Sequence, residues 1–188
     1  MTTTVIPNYV AGTWTIDPVH TEVGFVARHL MVTKVRGKFD KYTASITTAE
    51  NPLDSHFEVE VDLSSITTGN EMRDNHLRSN DFFDVENSPQ MTFRSTAIRP
   101  AGDDYEIDGE LTIRGVTKPI TLKAELGGFG PGMQGDTRLG LSATGVINRH
   151  DFGVSFNATI EGGGVVVSDK ITIAIEAEAV LDGAPAEA

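Results

Sequence analysis

Five histidines (His20, His29, His56, His76 and His150) and no cysteine set the limits of the chemistry this chain offers. No two histidines stand at the H-x-H or H-E-x-x-H spacing that aims a pair of imidazoles at one ion, so no metal site and no metal cofactor are expected. The lack of cysteine removes thiolate nucleophiles, disulfides and cysteine-ligated zinc. His20 and Glu22 follow Asp17 across a turn. A Ser/His/Asp reading of that group needs a serine that the sequence does not place, and no catalytic residue is assigned. His29 has the parity of Val23, Phe25 and Ala27 and is expected to point inward at a strand's end. It reads either as a buried histidine satisfied by backbone or as a donor to the polar head of a ligand.

Charge carries the second signal. Fifteen Lys and Arg against twenty-seven Asp and Glu give a net charge of −12. Such a surplus repels the phosphates of nucleic acid, and no nucleic-acid partner is expected. Against that background, Arg28, Lys34, Arg36, Lys38 and Lys41 form a basic run interrupted by one acid, Asp40. It reads as the solvated exterior of a strand, or as local steering of a phosphate-bearing ligand or lipid head groups. Arg73, Asp74, His76, Arg78, Asp81 and Asp84 interleave charges around Leu77, Phe82 and Phe83, with Arg73-Asp74 readable as a salt bridge tying a lid to its support. Asn148 to Gly153 reads as an ion-paired corner.

The elements that must position these groups are strands. Apolar residues recur at every second position in Trp14–Ile16, Val23–Ala27, Val35–Phe39, Phe57–Leu63, Met91–Ala97, Tyr105–Ile113, Ile120–Leu126, Leu139–Ile147 and Ile171–Leu181, the period of half-buried strands. Turn residues such as Asp17-Pro18, Asn51-Pro52, Gly115 and Gly162-Gly163-Gly164 divide them at intervals suited to antiparallel hairpins. Residues 70–79 break the period, and a short helix is expected there behind Thr67-Thr68-Gly69 as capping residues. One all-β domain over 13–182 is predicted, with an extension at 1–12 and a frayed tail at 183–188. Eight or more one-faced strands close into a barrel or stack as a sandwich, and alternation alone leaves both open. Small residues on the apolar faces, Gly109, Gly145, Ala124, Ala143, Ala177 and Ala179, suggest an interior with room. The longest apolar runs are three residues, as at Val165–Val167, so no membrane insertion is expected. Residues 1–13 lack the pattern of a signal peptide, and a cytoplasmic location is expected.

Trp14-x-Ile-Asp-x-x-His20, Val23-x-Phe25-x-x-x-His29, Val35-Arg-Gly-Lys-Phe39 and Thr68-x-Asn70-x-x-Arg73-Asp74-x-x-Leu77-x-Ser-x-Asp81-Phe82-Phe83 follow in order. Pro89-x-Met-x-Phe93-x-Ser95, Gly109-Glu-Leu-Thr-Ile-Arg-Gly115-Val-Thr-Lys-Pro119, Arg138-x-Gly140 and Asn148-Arg149-x-Asp151-Phe152-Gly153 complete the series. In number and order these pieces resemble the YceI-like polyisoprenoid-binding family from Trp14 to Leu181.

The resemblance implies an extended, lipocalin-like, eight-stranded antiparallel barrel whose apolar tunnel holds a long-chain isoprenoid, a quinone tail or a similar amphiphile. It chooses barrel over sandwich and favours binding over catalysis. The resemblance implies that many relatives carry a secretion signal, and none is expected here. Val23, Phe25, Ala27, Phe39, Phe82, Phe83, Phe93, Leu111, Ile113 and Leu141 are the expected tunnel residues, with His29 and Arg73 at the ligand's polar end. An isoprene unit contributes roughly 4 kcal/mol at about 0.8 kcal/mol per methylene. The alternatives are an enzyme using His20 or His29 as acid or base on such a lipid, and a scaffold barrel filled by its own side chains. A homodimer through an exposed strand edge stays open, since the pattern locates no such edge.

Overall fold

The computed structural model describes residues 5–183, so the tail expected over 183–188 lies outside them apart from Gly183. Eight antiparallel strands, three of them interrupted, close into an up-and-down barrel. Strand β1 comprises Gly12–Ile16 and Glu22–His29, β2 Thr33–Phe39 and Tyr42–Thr48, and β3 His56–Asp62 and Ile66–Thr67. Then follow β4 (Gln90–Ala101), β5 (Asp104–Ile113), β6 (Val116–Pro131), β7 (Thr137–Asn148) and β8 (Lys170–Leu181). Each strand pairs with the next, and β8 closes the ring on both parts of β1, with Trp14 opposite Leu181 and Val23 opposite Ile175. Closure removes the sheet edges that a sandwich would leave.

The three interruptions lie side by side and have local causes. In β1, Pro18 has no N–H for the ladder and the Asp17 carboxylate accepts from Val19 N instead. In β3, Asp62 accepts from Ser64 N and opens a 3-10 turn at Leu63–Ser65. Between them, at the break in β2, Asp40 N donates to Ser65 O and Lys41 N to Ser65 Oγ.

The helix α1, Glu71–Arg78, connects β3 to β4. Its cap is Asn70, whose side chain accepts from Arg73 N, and not Thr67-Thr68-Gly69 as expected. Thr68 instead receives the helix from outside: its N–H and hydroxyl both donate to the buried Asp74 carboxylate, and Arg73 Nε donates to its oxygen. Arg73 and Asp74 therefore share a threonine and are not paired with each other.

At one end of the barrel Trp14, Phe129, Leu139, Ile46 and Ala179 form a dense cluster, with Ile6, Tyr9 and Val10 folded over it. The Trp14 indole N–H donates to Thr48 Oγ1 at 2.8 Å, so its polar atom is satisfied in the core. The small residues leave room at some positions, as at Ala124 on a cavity wall, and at others the space is taken by a neighbour. A Cβ on Gly37 would collide with the Phe25 ring and one on Gly109 with the Phe93 ring. Each glycine is a seat for an aromatic on the neighbouring strand, which fills the space its missing side chain vacates.

Candidate functional site

The other half of the barrel is not filled. A cavity of about 160 Å³ lies inside β1–β8, walled by Val23, Phe25, Ala27, Phe39, Phe93, Leu111, Ile113, Ile147, Ile173 and their neighbours. Only Thr92 and Arg149 among its lining residues carry polar side chains. These walls follow from the register: with Val23 opposite Phe39, Phe25 opposite Gly37 and Ala27 opposite Val35, alternate residues of the β1–β2 pair face one interior.

Two segments roof the cavity. The first runs from α1 through residue 85 and lays Leu77, Phe82 and Phe83 on it. It is held mostly by arginines: Arg78 donates to Ser64 O and Ile66 O, and Arg114, from the β5–β6 turn, donates to Asn80 O and Phe82 O. The second segment spans 149–169 and contributes Phe152, Val154 and Val167. The caps meet where the His76 ring stands edge-on between Phe82 at 5.0 Å and Phe156 at 4.9 Å.

Arg149, expected at an ion-paired corner, is 4 % exposed and organises the second cap. Its Nε donates to Ser168 O, and Nη1 donates to Val154 O and Phe156 O at 2.8 and 2.7 Å. Asp169 stands 3.8 Å away, and burial pulls the guanidinium pKa down. With three close backbone acceptors in place, this cation closes a loop and leaves little donor capacity for a ligand.

A second cavity of about 60 Å³ lies nearer the dense end, lined by Phe57, Tyr105, Ile107, Leu139, Leu141 and others. The packed cluster of Ile107, Leu122, Ala124 and Ala143 with Ile175 and Leu141 stands between the two.

The sequence that builds this closed eight-stranded barrel, with one helix between β3 and β4, matches the family model of the YceI-like domain over residues 14–179. The chain belongs to the YceI-like family. A UPF0312 protein of Staphylococcus epidermidis is 37% identical over 168 residues, covering 88% of this chain and 96% of the relative. A solved YceI protein of Campylobacter jejuni is 35% identical and superposes with a TM-score of 0.70 over 81% of this chain and 88% of that one. A polyisoprenoid-binding domain from Saccharophagus degradans shares the fold at a TM-score of 0.67 and 16% identity, over 92% of this chain and 99% of that one.

The YceI-like barrel brings together Val23, Phe25, Ala27, Phe39, Phe82, Phe83, Phe93, Leu111 and Ile113 on the larger cavity. Leu141 lines the smaller one. His29 and Arg73 are on neither. The period-2 parity that aimed His29 inward ends where the strand leaves the barrel wall, and the residue is exposed, bridged through its backbone to Val167. Arg73 is exposed and spends its guanidinium on Thr68. The sequence signal that would have found Arg149 is its place just after the strand Leu139–Ile147, where the chain must turn over the barrel mouth.

His20 bonds Asp17 at 2.9 Å, beside Glu178. These three lie close enough to share an ion, yet Arg138 Nη1 donates to both carboxylates and Nε to Asp136, so a guanidinium occupies the centre of the group. Bonding to His20 and then to Arg138 holds the Asp17 carboxyl well below the usual range, while Asp17 and then Glu178 push His20 up. The network joins the break in β1 to β7 and β8.

Proposed function

We propose that the protein binds, carries or sequesters one isoprenoid-type lipid, a polyprenyl chain or quinone tail, inside the barrel. The observation that carries the reading is the larger cavity: its walls are apolar throughout except for Thr92 and Arg149, and Arg149 is already committed to backbone carbonyls. Such walls reward methylenes and methyls and offer a polar group no partner. Family membership and the shared fold of a polyisoprenoid-binding domain support the same class of guest. Binding rather than turnover is the reading the lining supports, because no histidine or carboxylate is among the residues on it. The polar head of the guest then belongs outside the cavity, between or beyond the caps.

Native mass spectrometry of the purified protein, followed by solvent extraction and identification of the lipid, tests this. The expected result is a stoichiometric prenyl-chain adduct. Bare protein that also refuses added prenyl alcohols and quinones would sink the proposal in favour of a barrel that only holds its own side chains.

A further inference from the structure

At the capped end the β1–β2 hairpin projects its tip into solvent with three consecutive apolar residues: Leu30, Met31 and Val32 are 38%, 56% and 76% exposed. The turn itself is an uneconomical place for them. Val32 N donates to His29 O, and both central residues lie at positive φ, 52° for Leu30 and 58° for Met31. That sign pattern belongs to turns built from Asn and Gly, and bulky side chains there are strained. The β5–β6 turn at the same end has the same signs at Arg114 and Gly115, and gives the second position to glycine. Neither burial nor turn chemistry explains Leu-Met at positions 30 and 31.

The side chains behind the tip are cationic. Arg28 pairs with Lys34 across the hairpin, and Arg36 follows one inter-strand step back, all three exposed. None of them has a carboxylate within ion-pair distance among the described residues, while Lys38, one step further, is paired with Asp40. At about 3.3 Å per residue, Arg28 and Lys34 sit within roughly 7 Å of the turn. An apolar tip that enters the outer 5 to 10 Å or so of a bilayer therefore sets these cations at the level of the head groups.

We propose that this hairpin tip docks the capped end of the barrel on an anionic lipid bilayer. Charge complementarity decides the occupant: on a chain of net charge −12, an unpaired cationic collar directly behind an exposed apolar tip fits a negatively charged surface with an apolar interior. Two acids of the second cap oppose it: Glu161, in the short hairpin Thr159–Ile160/Gly164–Val165, and Asp169, beside Ser168, whose carboxylate is already bonded by His150 and faces Arg149. The tip is also joined to the second cap, since Leu30 N donates to Val166 O and Arg28 N to Ser168 Oγ. A bilayer that held the tip would thus also hold residues 166–168 of that cap. The inference goes beyond the cavity reading and does not depend on it.

Flotation with vesicles of phosphatidylcholine alone, or mixed equally with phosphatidylglycerol, tests the docking without any prenyl ligand. The protein is expected to float with the anionic vesicles, less so as salt is raised, and to remain behind with the neutral ones. Two variants separate contact from folding. L30N/M31G puts the preferred residues into the turn, so its Tm is expected to hold or rise while vesicle partitioning falls by tenfold or more. R28Q/K34Q/R36Q keeps the tip and is expected to lose about fivefold for each cation removed. Equal flotation with both vesicle types, or an L30N/M31G protein that binds as the parent does, would overturn the proposal. Because neither result reports on the cavity, failure here leaves the lipid-carrier reading standing, and bare barrels that dock on vesicles would leave the docking standing.

Discussion

Arg149 shows how one buried cation substitutes for a hydrophobic contact. Its side chain gathers the carbonyls of Ser168, Val154 and Phe156, which lie in a buried or half-buried setting and have Arg149 as their side-chain donor. Replacing it with Met keeps much of the volume and removes every bond. R149M is expected to lose on the order of 3 to 5 kcal/mol of unfolding free energy, read from urea melts, because buried acceptors are left without partners. A loss below about 1 kcal/mol would mean that water reaches those carbonyls readily. The network at Asp17 makes a milder prediction with two edges. Asp17's depressed pKa contributes stability above about pH 4 that is lost as pH falls toward its folded value, and His20's raised pKa contributes stability below about pH 6.5 that is lost as pH rises through it. Tm plotted against pH should therefore fall at both edges, modestly because both groups reach solvent, and D17N should flatten both. An alkaline edge that survives in H20Q would assign it to another group.

At the scale of elements, the alternation of apolar residues was legible in the sequence and it placed the strand faces well. Ile107, Gly109, Leu111 and Ile113 are buried in the register their spacing predicts. What alternation does not contain is where a strand leaves the wall. His29 keeps the inward parity two residues after Ala27, yet it is exposed, since the hairpin there has risen past the cavity. Nor does it contain what fills the space beside a glycine, which depends on a residue in the neighbouring strand, such as Phe25 over Gly37. The caps were half legible: the helix was visible from its spacing, whereas the 149–169 segment has no period and is defined by long-range bonds to Arg149 and Asn157. The caps join through Phe156, which touches His76 and Phe82. F156A removes that clasp without touching the barrel wall. It is expected to speed release of a fluorescent prenyl analogue severalfold while shifting Tm by only a few degrees. An unchanged release rate would show that the guest enters elsewhere.

The whole molecule sets a conflict of size that bears on what the barrel carries. An apolar cavity of about 150 Å³ is filled by a single benzene, and the larger space here is about 160 Å³. As it stands it suits about one isoprene unit. Each further unit offers roughly 4 kcal/mol of burial before ordering costs, which is enough to displace side chains that hold neighbouring space closed. The natural direction of growth is along the barrel, where the cluster around Leu122 stands between the larger cavity and the 60 Å³ space toward Trp14. Leu122 lines the larger cavity and is 5 % exposed, so L122A should remove part of that partition. The variant is expected to lose about 2 to 5 kcal/mol of stability as a buried Leu-to-Ala change. Its affinity for a long prenol such as solanesol should rise relative to that for geraniol, because the long chain no longer has to move a leucine. The comparison of the two ligands within each protein cancels the stability loss. If the long chain gains nothing relative to the short one, the two cavities are separate, and a long guest must lift the caps instead of extending into the barrel.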